Sequence, residues 1–173
     1  MKNDKIRKLV IAALFAALCC VSTLVLQIPS PMSGYVNLGD CFVLLSGWIL
    51  GPVYGTAAAG IGSMLADALT GYMHYAPGTL IIKAATALTA SLLFFALNKM
   101  KSGKPVIARI ISGIAGEAVM VVGYFGYAGL LLGKGLAAAA SIPGNIVQGV
   151  FGIITSVLIM ELLRKNKILE KMK

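Results

Sequence analysis

Apolar runs long enough to cross a bilayer recur from one end of this chain to the other. Four of them, at about residues 7–27, 77–98, 106–132 and 141–163, each supply the roughly 20 residues that a helix needs to span a hydrocarbon core of about 30 Å. No stretch between them is polar and long enough to fold separately in water. Of the 173 residues, 58% are hydrophobic and 12% charged, about half the charge of an ordinary soluble domain. The chain therefore reads as one all-α integral membrane domain over residues 1–173. The first run follows a basic start, as a secretory signal does, but it exceeds the roughly 7–15 apolar residues of such a signal. It also ends at Gln27-Ile28-Pro29 without a small-residue cleavage site, and so reads as a retained helix.

The stretch 38–70 divides at Gly51-Pro52, because proline cannot continue a helix that starts before it without a break. Its first piece, 38–50, rises only about 20 Å. The basic residues decide how often this stretch crosses. Lys2, Lys5, Arg7 and Lys8 precede the first run. Lys99, Lys101, Lys104 and Arg109 surround the one polar linker, and Arg164, Lys165, Lys167, Lys171 and Lys173 follow the last run. Only Lys83 and Lys134 lie elsewhere. Lys and Arg of short loops gather on the cytoplasmic side, and all three clusters share that side only if 38–70 crosses twice. The expectation is six transmembrane helices, about 7–27, 38–50, 53–70, 77–98, 106–132 and 141–163, with both termini cytoplasmic. Outer loops then fall at 28–37, 71–76 and 133–140. The short second helix makes the first outer loop dip into the protein, which irregular backbone tolerates only where it is buried or lines a cavity. The net charge of +9 is on this reading a topology signal, and no nucleic-acid partner is expected. No internal repeat points to an inverted-repeat carrier.

Polar residues stranded in apolar runs are costly and usually face a cavity or a partner. Asp40 opens the second helix, Asp67 closes the third, and Lys83 lies about 9 Å into the fourth. Asn145 and Gln148 share one face, as do Ser63 with Asp67, Thr79 with Lys83, and Glu117 with Tyr124. All except Glu117 fall in the outer half, which predicts a pocket open to the outside and closed toward the cytoplasm. Tyr35, Tyr72, His74 and Tyr75 crowd the outer loops.

Several of these have two readings. Asp67 and Lys83 suit an interhelical ion pair or ligand contacts. Asp40 suits a helix cap or a ligand contact, and Tyr35 and Tyr75 an interfacial belt or a pocket wall. Trp48 reads as a belt residue and His74 as a surface residue. Cys19, Cys20 and Cys41 lack metal-ligand spacing and read as packing residues. No metal or cofactor is expected. Small residues four apart, as in Ala12/Ala16, Ala13/Ala17, Ala58/Gly62 and Gly152/Ser156, let helices approach closely. Inside the bundle that means packing; on an exposed face it means a partner.

The order of short motifs is distinctive. Tyr35-Val-Asn-Leu-Gly-Asp40 is followed by Leu50-Gly-Pro-Val-Tyr-Gly55 and Gly60-Ile-Gly-Ser-Met-Leu-Ala-Asp67. Gly71-Tyr72, Tyr75-Ala-Pro77, Ile82-Lys83 and Asn145-Ile-Val-Gln148 come after. Together they resemble the substrate-binding S components of energy-coupling factor (ECF) importers. The likeness is greatest to the riboflavin-type branch, which is also similar to S components for hydroxymethylpyrimidine and pyridoxine-like compounds. The resemblance implies a six-helix subunit that binds a vitamin or precursor from outside. Such a subunit joins a transmembrane coupling protein and two ATPases, and topples in the bilayer to release its substrate inward.

The same resemblance puts Ala12, Ala13, Ala16 and Ala17 on the face that meets the coupling protein. It also makes the loops after the first and third helices gates, with Tyr35, Asn37, Tyr72 and Tyr75 near the ligand. The chain has no Gly-x-x-x-x-Gly-Lys-Ser/Thr loop of its own for ATP. The expected substrate-binding set is Tyr35, Asn37, Asp40, Asp67, Tyr72, Tyr75, Lys83, Glu117, Tyr124, Asn145 and Gln148. A stand-alone channel or carrier is the alternative, and it needs a polar path through the cytoplasmic half, where only Glu117 offers one. An intramembrane enzyme needs a nucleophile–base or metal cluster, which one His and scattered Ser do not supply.

Overall fold

In lipid, every backbone N–H and C=O must be satisfied within the chain, and a long apolar run does this as a helix. The computed structural model describes residues 2–30, 34–99 and 105–166 and follows that rule. Helix α1 spans Lys2–Val25, α2 Gly39–Leu69, α3 Ala76–Lys99, α4 Pro105–Gly126 and α5 Ile142–Lys165. Among the described residues, five stretches are long and apolar enough to cross a membrane: Asp4–Val25, Gly39–Leu69, Ala76–Lys99, Pro105–Leu131 and Gly135–Lys165. Lys101, Lys104, Lys167, Lys171 and Lys173 of the basic clusters lie outside the described residues.

The expected loop at 28–37 contains a hairpin, β1 (Gln27–Ser30) and β2 (Gly34–Asn37), paired antiparallel with Gln27 opposite Asn37. The expected helix 106–132 corresponds to the helical stretch Pro105–Leu131, which passes from α4 into a π-helical turn over Tyr127–Leu131. A 3-10 stretch over Gly135–Ser141 then leads into α5.

Helix α2 is broken where Gly51-Pro52 predicts. Gly51 has φ 79° and ψ −174°, a conformation that glycine takes at little cost and other residues resist. Pro52 then lacks the N–H that a continuous helix would use. The two halves, 39–50 and 52–69, fold back on each other. The Ser46 hydroxyl donates to the carbonyl of Gly55 at 3.0 Å, and a Cβ on Gly55 would collide with Ser46 and Gly47. Gly51 lies beside Phe95 near the far end of α3. Small residues also set the contacts with neighbours: Gly47 lies on the Ala87 backbone of α3, and Gly62 on Ala16 of α1. Backbones this close are the membrane substitute for a hydrophobic driving force.

The apolar core fills the end of the bundle near Gly51. Leu44, Leu45, Trp48, Phe94, Ala108 and Met160 are buried there, flanked by Ile11, Leu97 and Leu163. Trp48 is therefore a core residue and not a belt residue. Its indole N–H donates to Ser112 at 3.1 Å, which satisfies the one polar atom that otherwise keeps a tryptophan at an interface. Arg109, only 4% exposed, pairs with Glu161 at 2.6 Å and lies over the Phe94 ring.

Candidate functional site

The opposite end is built from polar residues. Asp40 sits in the first turn of α2 but does not cap it: the N-cap is Leu38, with no side-chain cap hydrogen bond. Asp40 is instead fully buried and forms an ion pair with Lys83 of α3. Its second oxygen accepts from Nε2 of Gln148 on α5 at 2.6 Å. The Lys83 ammonium also meets Met120 Sδ at 3.0 Å and lies 5.6 Å from the centre of the Tyr124 ring. The ion-pair partner of Lys83 is thus Asp40, not Asp67. Three helices converge on one buried carboxylate.

The hairpin is fastened over this cluster. The backbone N–H of Asn37 donates to Gln148 Oε1 at 2.8 Å. Asn37 Oδ1 accepts from the N–H of Gly39 at 2.8 Å and from the Thr23 hydroxyl of α1 at 3.3 Å. The Tyr35 phenol donates to Asp67 near the end of α2. Burial, and then the Asp67 carboxylate, hold that phenol above its ordinary pKa, so Tyr35 keeps its proton and is the donor.

Beneath the hairpin lies a cavity with about 580 Å³ of empty space, part of it open to solvent. Its room for the centre of a water-sized sphere is about 50 Å³. Tyr35, Asn37, Asp67, Tyr72, Tyr75, Lys83, Tyr124, Asn145 and Gln148 of the expected set line it. Asp40 and Glu117 do not. Asp40 stands behind Lys83 and Gln148. Glu117 is buried against Gly149 and Gly152 of α5, with no hydrogen-bond partner for either carboxylate oxygen among the described residues.

The wall also contains Thr23, Ser63, Thr79, Ala128 and Ser141. Ser63 and Thr79 share helix faces with Asp67 and Lys83, a spacing visible in the sequence. Thr23 and Ser141 carry only the weak signal of a hydroxyl at a helix end, and Ala128 carries none.

Aromatic rings form much of the remaining wall. Tyr35 and Tyr72 have centroids 4.8 Å apart, and Tyr75 lies 6.4 Å from Tyr124. Thr79 and Tyr124 share a hydroxyl hydrogen bond of 3.0 Å. Tyr75 is buried, with Lys134 on its hydroxyl at 3.1 Å. It belongs to the pocket rather than to an interfacial belt. His74 is exposed, as expected of a surface residue.

A second cavity lies on the flank of the bundle, between α1 and the second half of α2. It is an open apolar groove with about 1120 Å³ of empty space, part of it open to the surroundings, and is lined by Ala12, Ala13, Ala16 and Ala17 with Tyr54, Ile61 and Leu65 among others. Ala13 and Ala17 are exposed in it.

The sequence model of the family described as "ECF-type riboflavin transporter, S component" matches residues 3–165. The chain belongs to that family. An uncharacterised Pyrococcus woesei protein from the gap 3′ region is 38% identical over 135 residues, 78% of this chain and 86% of that one. The thiamine precursor transporter HmpT of Lactococcus lactis subsp. cremoris (strain MG1363) is 26% identical over 171 residues, 98% of this chain and 95% of that one. A solved structure of the S component of a bacterial ECF transporter superposes with a TM-score of 0.71 at 22% identity. The match covers 95% of this chain and 98% of that one, so the fold is shared. This ECF S component is a membrane protein of a transporter family, the subunit that binds the transported solute. Its fold places a polar, tyrosine-walled cavity at one end of a largely apolar bundle.

Proposed function

We propose that this S component captures a single-ring vitamin precursor of the hydroxymethylpyrimidine or pyridoxine kind from outside. The observation that carries this reading is the size and lining of the cavity. At roughly 10–15 Å³ of sphere-centre volume per water, 50 Å³ holds about three to five waters. That is the bulk of one substituted six-membered ring; the three fused rings of a flavin would also need the solvent-open part of the 580 Å³. Tyrosine faces suit such a ring, and a few placed polar groups fix its orientation. The likeness to a thiamine precursor transporter agrees with this.

In this reading Tyr35, Asn37, Asp67, Tyr72, Tyr75, Lys83, Tyr124, Asn145 and Gln148 touch the ligand. Asp40 acts through Lys83 and Gln148. Calorimetric titration of the detergent-purified chain with hydroxymethylpyrimidine, pyridoxine and riboflavin tests the size argument. A single-ring ligand is expected to bind, and Asn145→Ala to weaken it about 10- to 30-fold, the value of one good hydrogen bond to a polar ligand, with unfolding unchanged. Tight riboflavin binding without single-ring binding overturns the size argument.

The proposed topology has six crossings, with α2 crossing twice, the pocket outside and both termini cytoplasmic, in a cell membrane of bacterial type. Its support is the break at Gly51, the presence of both Asp40 and Asp67 at the pocket end, and the three basic clusters. In intact cells a membrane-impermeant maleimide is expected to label Gly71→Cys; protection of that site reverses the orientation.

Coupling to ATP is proposed to run through a transmembrane partner, carrying two ATPases, seated on the Ala12–Ala17 groove. Ala13→Leu is expected to lower uptake by the assembled transporter about tenfold while ligand affinity stays as it was. Uptake by the purified chain alone in liposomes favours the carrier reading instead.

A further inference from the structure

Two buried polar atoms of the pocket wall make no well-formed hydrogen bond among the described residues. Asp67 is 4% exposed. Its Oδ1 accepts from Tyr35, and its Oδ2 is buried without a well-formed hydrogen bond among the described residues. One turn earlier, Ser63 is 2% exposed and its Oγ is likewise unpartnered. Residues four apart share a helix face, and both line the cavity. The Thr79 hydroxyl lies beside the Asp67 carboxylate and shares a 3.0 Å hydrogen bond with Tyr124. The Lys83 ammonium on the same wall carries only donors. One side of the cavity thus seeks hydrogens and another offers them.

A buried carboxylate oxygen left without a donor is expensive, and it is retained most readily where a ligand supplies the missing N–H. We propose that Asp67 Oδ2 and Ser63 Oγ form a subsite for an exocyclic amino group, so that the ligand is an aminated heteroaromatic ring such as an aminopyrimidine. This rests on reading the cavity as the solute site. The amino group directs one N–H at Asp67 and the other at Ser63, while a ring nitrogen or a hydroxyl oxygen accepts from Lys83. An oxo group in the same place turns an acceptor toward a carboxylate oxygen and is rejected. A phosphate or carboxylate sets a second negative charge beside Asp67 and is rejected more strongly.

The test is calorimetric titration of the purified full chain with four probes. These are 4-amino-5-hydroxymethyl-2-methylpyrimidine, its 4-oxo counterpart, pyridoxine and riboflavin. The amino compound is expected to bind at least about 100-fold tighter than the 4-oxo compound, since a site built to hydrogen-bond a group discriminates strongly against its absence. Asp67→Asn is expected to shrink that ratio below about tenfold. Ser63→Ala, which leaves the Tyr35–Asp67 bond in place, is expected to shrink it about three- to tenfold. Equal binding of the two pyrimidines, or an unchanged ratio in both variants, overturns the amino subsite. Binding of pyridoxine or riboflavin with neither pyrimidine overturns the subsite and leaves solute capture standing. Binding of no probe overturns both.

Discussion

Asp40→Ala is expected to lower the stability of the bundle by about 3–5 kcal/mol, the usual cost of removing one partner from a buried ion pair. The loss falls on Lys83. Its side chain is 3% exposed, and without Asp40 its ammonium keeps Met120 Sδ, a weak acceptor, and the Tyr124 ring 5.6 Å away. Gln148 loses its 2.6 Å bond at the same time. Because Lys83 and Gln148 both line the cavity, ligand binding should fail together with stability.

The double variant Asp40→Ala/Lys83→Met separates the two effects. It removes the stranded charge and supplies an apolar side chain of similar length, so most of the stability is expected to return. Binding is not, because the donor on the wall is gone. Equilibrium unfolding in a detergent–SDS titration reads the first quantity, and calorimetry the second. If Asp40→Ala unfolds at the wild-type midpoint, Lys83 has another partner and the ion pair does not organise the site.

That pair also marks the limit of what the sequence could show. The spans were legible because an apolar run carries its own length, and the break in α2 was legible because Gly51 and Pro52 are adjacent. The pocket end was legible because residues one turn apart share a face: Asn145 with Gln148, Thr79 with Lys83, and Ser63 with Asp67 all reach the cavity. Lys83 with Asp40 joins residues 43 positions apart. Such a pairing depends on how α2 and α3 are placed, which no local spacing encodes.

The hairpin was hidden for a different reason. Its first strand contains Pro29, which argues against a strand unless the strand lies at an edge, as β1 does. The π-helical turn over Tyr127–Leu131 was hidden because hydropathy does not distinguish it from the apolar run around it. Glu117 shares a stripe with Tyr124, yet only Tyr124 reaches the wall. Glu117 lies two turns deeper, where α5 presents Gly149 and Gly152.

Glu117→Met is expected to act in the opposite sense to Asp40→Ala and raise stability, on the order of the 1–4 kcal/mol gained when buried ion pairs give way to well-packed apolar residues. The two carboxyl groups are chemically alike and differ in their partners. Asp40 has an ammonium and an amide; Glu117 is 5% exposed, with neither oxygen hydrogen-bonded among the described residues. Ionised, Glu117 is a bare charge between apolar helices near Asp40 and Lys83, which already neutralise each other. Protonated, it still buries an O–H without an acceptor.

Methionine matches its length and lets the side chain pack on Gly149 and Gly152 without filling new space. Glutamine removes the charge but buries an unpaired amide, so Glu117→Gln should gain less than Glu117→Met. Ligand affinity should change little in either variant, since Glu117 is off the cavity wall. The same detergent–SDS titration orders the three proteins. If Glu117→Met is less stable than the wild type, the carboxyl group has a partner that its present neighbours do not supply. A position deep in the bundle would then be holding a proton or an ion whose loss is felt across the fold.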